Sequence, residues 1–189
     1  MPVEVLPEIT IVWPEEWKQS TKRVLLDLDG VVVSYDFASL VWDKFHVRID
    51  PTRIFAYNLA DVLGVSSKEI NDMFHTQLWG NPQFNDDALE VLSDWNSKGY
   101  EIVIYSNRVK YMGEFGLAKW LIENKIPYSR INGGEGNYDF HIDDRPEKLC
   151  DTDSKVKLLY SQPWNLLCLN IKRKLTRINS WQEIKEVVG

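Results

Sequence analysis

The chain is poor in cysteine, in histidine and in long apolar runs, and it carries no excess of positive charge. Its two cysteines, Cys150 and Cys168, are too few for a disulfide framework and lack metal-site spacing. Both read as small apolar side chains in a reducing compartment. The three histidines have no ligand pattern. No apolar run approaches the roughly 20 residues that cross a bilayer. The opening stretch through Trp17 is broken by prolines and acids, unlike an export signal. Lys plus Arg number 22 against 28 Asp plus Glu, a net charge of −6. That balance argues against duplex nucleic acid as the main partner, which demands a basic face. A cytoplasmic globular protein is left. Its 189 residues, 44% hydrophobic and 26% charged, suit one core-bearing domain without repeats.

What is present alternates between strands and helices. Val24–Leu26 is a short apolar run that stops at Asp27-Leu28-Asp29-Gly30, as a buried parallel strand does. Asp86–Lys98 has Leu89, Leu92 and Trp95 at helical spacing, with Gly99 placed for a C-cap. Glu101–Tyr105 reads as a strand ending at Ser106-Asn107-Arg108, and Gly116–Asn124 as a helix. Asp139–Ile142 reads as a strand running into Asp143-Asp144, Asn165–Leu169 as another strand, and Ser180–Val188 as a closing helix. This order predicts an α/β fold with a Rossmann-like parallel core.

The stretch after the first strand differs. Asp36–His46 and Ser66–Trp79 both read as helices, the second opened by a Ser66/Glu69 capping box, and aromatic residues crowd the region. It is expected to be a small helical cap inserted after the first strand. The division is 22–35 and 86–189 for the core, 36–85 for the cap, and 1–21 for an arm in which Ile9–Trp13 is a candidate edge strand.

Ligands of open α/β sheets bind beyond the carboxyl ends of the strands. Three such ends carry Asp27/Asp29, Ser106/Asn107 and Asp143/Asp144. Acids and amides converging there repel one another without a cation, and hard oxygen ligands suit Mg²⁺. Leaving a strand for a turn, Asp27 and Asp29 are placed for different jobs: one to meet a phosphorus, the other to stand beside a leaving group.

With those residues in view, the chain resembles the haloacid dehalogenase-like phosphatases: Asp27-Leu28-Asp29-Gly30-Val31 after one strand, Ser106 after a second, Ile142-Asp143-Asp144-Arg145-Pro146 after a later one. Leu158-Leu159-Tyr160-Ser161-Gln162-Pro163-Trp164-Asn165, followed by Arg177-Ile178-Asn179-Ser180-Trp181, is similar to the tail of the 5'(3')-deoxyribonucleotidase family. The resemblance implies that Asp27 attacks phosphorus to form a phosphoaspartate and that Asp29 serves as acid and base. It implies that Asp27, Asp143 and the Asp29 backbone carbonyl hold Mg²⁺, with Asp144 supporting the metal from behind or through water. Ser106 would bind phosphate oxygens. Asn107 and Arg108 are candidate phosphate contacts beside it.

Where that superfamily expects a lysine shortly before the IDD motif, this chain has Gly133 and Glu135. Arg108 or Arg130 is expected to take the vacant role, ahead of Lys125, with Lys110 also just after the second motif. From the cap, Trp42, Phe45 and Trp79 are expected to face the substrate, while Trp120, Trp164 and Trp181 pack helices on the sheet. The expected partner is a small phosphorylated substrate, a deoxyribonucleoside monophosphate first, with no duplex nucleic acid and no membrane; a homodimer stays open. Two alternatives stand beside it: a catalytically weak nucleotide- or phosphometabolite-binding relative, and a sugar-phosphate phosphatase.

Overall fold

The computed structural model describes residues 22–49, 59–74, 82–132, 136–166 and 174–189. The expectations for the arm, for Trp79, for Gly133 and Glu135, and for Leu167–Leu169 lie outside these residues.

Six parallel strands form one sheet in the order β5-β4-β1-β6-β7-β8. They are β1 (Arg23–Leu26), β4 (Glu101–Ile104), β5 (Arg130–Ile131), β6 (Tyr138–Asp143), β7 (Ser154–Tyr160) and β8 (Thr176–Ile178). The chain runs outward from β1 through β4 to β5, then returns to lay β6 against the other side of β1. That reversal makes β1 the switch point of the sheet, where ligand clefts open. The fold is the α/β, Rossmann-like one the alternation predicts.

Period-two alternation divides the strand residues between two faces. Val24, Leu26, Ile102, Ile104, Ile142, Leu158 and Tyr160 join the main core. Onto that core pack α4 (Ala88–Ser97), α5 (Val109–Glu123) and α7 (Trp181–Val188). Trp95 and Trp181 are fully buried there, with ring centroids 5.8 Å apart. The Trp181 indole N–H donates to the Val31 carbonyl at 2.9 Å, so α7 is pinned beneath the loop that follows Asp27. The opposite face carries Leu25, Val103, Tyr138 and Tyr105, and below α6 (Pro146–Cys150) a smaller group of Leu149, Leu159 and Leu175.

A two-stranded antiparallel stem, β2 (Val33–Ser34) with β3 (Gln83–Phe84), brackets α1 (Phe37–Phe45), α2 (Leu59–Leu63) and α3 (Ser67–Met73). These helices share an apolar cluster of their own, built on Val41, Leu59, Ala60, Ile70 and Met73. Asp36 caps α1 by accepting from the Ser39 amide at 3.1 Å. The Ser66/Glu69 capping box opens α3, each side chain bonding the other's backbone.

Several elements differ from expectation. Asn165 does not start a strand; it ends a 3₁₀ turn, Pro163–Asn165. The edge of the sheet is instead built by β7 and β8. In β7 the lysines at 155 and 157 alternate with Val156 and Leu158, so the run reads as surface in sequence. Helix α5 begins at Val109, not Gly116, because Gly113 at φ 69° and ψ 167° breaks its regularity after one turn.

Candidate active site

Backbone pairing places the chemistry. The Asp27 amide donates to the Ile142 carbonyl at 3.0 Å and the Tyr105 amide to the Leu26 carbonyl at 2.8 Å. Leu26 pairs with Ile104 on one side and Ile142 on the other, so Asp27 stands between Tyr105 and Asp143. By alternation these three side chains share a face of the sheet. They border a cleft of about 320 Å³, lined also by Asp29, Ser106, Asn107, Lys110, Asn132, Arg145 and Lys148.

Asp27, Asp143 and Asp144 are buried and bring one carboxylate oxygen each within 4.8 Å of one another. Burial, then the charges of Asp143, Asp144 and Asp29, push the Asp27 carboxyl well above its usual range, against a backbone hydrogen bond from Leu28. Burial and Asp143 push Asp144 the same way, opposed by the hydrogen bond from Trp164. Three dry carboxylates cannot all ionise side by side unless a cation joins them. One Asp144 oxygen, Oδ1, is buried with no hydrogen-bond partner. The donor set is all hard oxygen, so the residues fit Mg²⁺.

The turn after Asp27 is shaped around Asp144. Leu28 accepts from the amides of Val32 and Val33, both at 2.9 Å, folding the chain back on itself. Gly30 sits at φ +82°, and a Cβ there would lie 2.5 Å from Asp144 Oδ2. The glycine of the DxDG segment is therefore required twice, by its backbone angle and by close approach.

Asp29 lies at the rim, and its carboxylate is not part of the buried triad. The Arg108 guanidinium grips it, Nη2 to Oδ1 at 2.7 Å and Nε to Oδ2 at 3.0 Å. Arg108 also donates to the Tyr35 hydroxyl at 2.9 Å and lies over the Trp120 ring, 4.2 Å from its centroid. Its side chain is 1% exposed. Arg108, expected to contact phosphate, has its guanidinium on Asp29 and is not among the residues that line the cleft. Arg130, also expected at the phosphate, does not line the cleft either. It begins β5 and pairs with Glu101 at the amino end of β4, away from the cleft. Ser106, buried, receives the Arg108 amide at Oγ (3.3 Å) and gives its own amide to Asn132 Oδ1 (3.2 Å). Asn107 is exposed at the rim.

Neither Trp42 nor Phe45 is among the residues that line the cleft. Phe45 packs into the α1–α3 cluster. Trp42 is exposed, with its ring against His46 and under Arg48. Helical spacing placed both on α1 but could not say which face turns inward.

Trp164, expected to pack a helix on the sheet, instead donates its indole N–H to Asp144 Oδ2 at 2.8 Å. Asn165 donates to the Asp144 carbonyl at 2.7 Å and is itself held by Arg177 at 2.8 Å. The PWN segment and Arg177 thus form a brace for the second acid of the pair. Tyr105, Asn132, Arg145 and Lys148 also line the cleft without having been singled out; adjacency to the motifs was the available signal for Tyr105 and Arg145.

No family model and no curated protein matches the chain. Solved structures do. A protein from Clostridium acetobutylicum described as a predicted phosphatase superposes with a TM-score of 0.60 at 13% identity, covering 89% of this chain and 98% of that one. A haloacid dehalogenase-like hydrolase from Bacteroides fragilis gives 0.57 at 12% identity, with 87% and 100% covered. A phosphatase from Clostridium difficile gives 0.57 at 12%, with 91% and 100% covered. The fold is that of the haloacid dehalogenase-like hydrolases. In this haloacid dehalogenase-like fold the buried acidic cluster sits at the carboxyl end of β1 and β6, and no described helix is long and apolar enough to cross a membrane.

Proposed function

We propose that the protein is a Mg²⁺-dependent phosphomonoesterase acting on a small phosphorylated metabolite, with a deoxyribonucleoside monophosphate as first candidate. The observation that carries the reading is the buried cluster of Asp27, Asp143 and Asp144 opening onto a cleft with Ser106 beside it. The nucleotide choice rests on the tail resemblance. We also take 36–85 as a cap unit over a core of 22–35 and 86–189.

An Asp27 oxygen would attack phosphorus, forming the Asp–O–P bond as the bond to the substrate oxygen breaks. Asp29 would give that departing oxygen its proton. Asp29 would then take a proton from water as the water displaces Asp27 and releases inorganic phosphate. Splitting the displacement in two is the gain of covalent catalysis, and the acid–base partner is worth about 10²–10⁴-fold. Ser106 would orient a phosphate oxygen. Mg²⁺, held by Asp27 and Asp143 and reached by Asp144, would offset repulsion between carboxylate and phosphate.

One observation favours a second reading, a binding protein of low activity. The carboxylate that should move a proton is held by Arg108 at both oxygens. A phosphate-release screen over nucleotides and sugar phosphates, with and without Mg²⁺, separates the two. The enzyme reading expects Mg²⁺-dependent release that Asp27→Asn lowers by on the order of 10³-fold or more. No release from any substrate, with phosphorylated ligands still binding, selects the second.

A further inference from the structure

A phosphate dianion entering this cleft meets Asp27, Asp29 and Asp143 at its walls. Even with a divalent ion bound, a positive side chain must face its remaining oxygens, because charge there grows in the transition state. Among the described residues three cations line the cleft: Lys110, Arg145 and Lys148. They are not equivalent. Arg145 is turned to Glu147, with Nε and Nη2 at 2.8 and 2.7 Å from Oε1. Lys110 is exposed on the first turn of α5. Lys148 is half-buried on α6, and the hydrogen bond it makes is to a neutral group, the Tyr105 hydroxyl at 3.2 Å.

The direction of that bond is the decisive feature. Lys148 follows β6 and Tyr105 follows β4, and between these strands lies β1. The Tyr105 ring leans from the end of β4 toward β6, its centroid 6.2 Å from that of His141, and both partners of the Lys148–Tyr105 bond line the cleft together with Asp27 and Asp143. The end of β1 is where Asp27 stands. The Tyr105 ring, 4.8 Å from the ammonium, steadies the lysine by a cation–π contact and holds it there. Leu149, fully buried against Leu159 and Leu175, anchors the helix turn that carries it.

We propose that Lys148 is the phosphate-binding cation of the cleft, supplied from the helix after the Asp143-Asp144 pair, with Tyr105 as its positioning residue. The inference rests on the phosphatase reading for its chemistry, but its ligand, a phosphate oxygen, is testable without turnover. Lys148 donates to a non-bridging oxygen opposite the metal side and stays protonated throughout, so no proton or bond changes hands at Nζ. Tyr105 accepts one Lys148 N–H and keeps the ammonium aimed, leaving the other two N–H groups of the lysine for the phosphate.

The test uses the full chain with Mg²⁺. Binding of inorganic phosphate is titrated calorimetrically into the wild type and into Lys148→Met, Lys148→Arg, Tyr105→Phe and Lys110→Ala. Thermal unfolding without phosphate is recorded for each. Met keeps the apolar stem, and Arg restores the charge should Met disturb folding. The proposal expects Lys148→Met to weaken phosphate at least tenfold with an unfolding midpoint near wild type, Lys148→Arg to recover part of that, and Lys110→Ala to weaken it less than Lys148→Met does. Tyr105→Phe should lose less than Lys148→Met. Where substrate turnover is measured, Lys148→Met should lower kcat more than it raises KM. Wild-type phosphate affinity in both Lys148 variants overturns the proposal. A wild type that binds phosphate through Lys148 yet hydrolyses nothing overturns the enzyme reading and leaves the lysine assignment standing.

Discussion

The two ends of the sheet treat their acids in opposite ways. At the amino end every carboxylate named here meets a cation. Glu101 is held by Arg23 at 2.8 Å and by Arg130, and Asp139 by Lys155 at 2.7 Å and the Arg23 amide at 2.9 Å. At the carboxyl end Asp27, Asp143 and Asp144 face one another; Arg108 is ion-paired with Asp29, Arg145 with Glu147, and His141 Nε2 lies 3.5 Å from Asp143. The electrostatics follow. Lys155 and the Arg23 amide pull the Asp139 carboxyl below its usual range, whereas burial and like charge push Asp27 and Asp144 above theirs. Neutralised acids at a strand end hold a fold together. Buried acids left unmatched cost stability, and that cost marks a place where a ligand completes the charge.

The sharpest way to break the contrast is to disturb the packing that crowds the unmatched acids. Gly30→Ala puts a Cβ 2.5 Å from Asp144 Oδ2 at a φ of +82°. Strain and clash together should destabilise by roughly 2–4 kcal/mol. Gly64→Ala is the control: φ is +66°, but no atom lies within 4 Å of the new Cβ, so only about 1 kcal/mol of backbone strain is expected. Denaturant unfolding of the two variants should differ accordingly, and equal losses would mean that Gly30 does not abut Asp144.

A smaller effect is expected from the brace. Trp164→Phe deletes the 2.8 Å hydrogen bond to Asp144 while keeping an aromatic ring. Outer partners of metal ligands are worth about 10–100-fold in affinity, so Mg²⁺ should bind about tenfold more weakly. Unchanged Mg²⁺ affinity would reduce Trp164 to core packing.

Asp144→Asn should act in two directions. The amide keeps an acceptor for Trp164 and removes one of the clustered charges. Metal-free protein should then gain on the order of 1 kcal/mol, about 2–4 °C in midpoint, yet lose most of the stabilisation that Mg²⁺ gives the wild type. A loss of stability in the metal-free variant would contradict the account of repulsion.

The pH response should differ in sign between the two ends. Asp139 has a lowered pKa, so its contribution is present above the usual carboxylate value near 3.8 and is lost as pH falls through the lowered one. Asp27 and Asp144 have raised values. Their protonated folded forms favour the native state at low pH, and metal-free stability should fall as pH rises through those raised values. Asp139→Asn should therefore trim stability slightly at neutral pH and much less at pH 3. Melts of metal-free wild type, Asp139→Asn and Asp144→Asn across pH 3–8 check both signs.

Much of this contrast was legible in sequence. Asp27, Ser106 and Asp143 each follow a short apolar run, and a parallel strand must end at its polar residue, so their convergence needed only the alternation of elements. The capping residues Asp36 and Ser66 were legible because their partners lie three residues away. The directions of long side chains were not. Arg108 follows Ser106 in the chain, yet its guanidinium turns to Asp29, Tyr35 and Trp120, partners 12 to 79 positions distant. Arg130 precedes a glycine-rich loop in the sequence, yet its strand register pairs it with Val103 and its guanidinium meets Glu101. Trp164 looked like core because aromatic residues with apolar neighbours usually are. Only the fold brings it to Asp144, 20 residues earlier in the chain. Lys148 gave no signal at all until β1 was seen to lie between its helix and Tyr105.

We propose that the acid cluster at the carboxyl end of β1 and β6 takes up a divalent cation. Calorimetric titration of Mg²⁺ into metal-free protein at a series of pH values, in two buffers of different ionisation enthalpy, tests it most directly. One site is expected, with net proton release on binding because Asp27 and Asp144 must ionise to hold the ion, and with the signal lost in Asp27→Asn. No binding, or binding that Asp27→Asn leaves intact and that releases no protons, would contradict the claim.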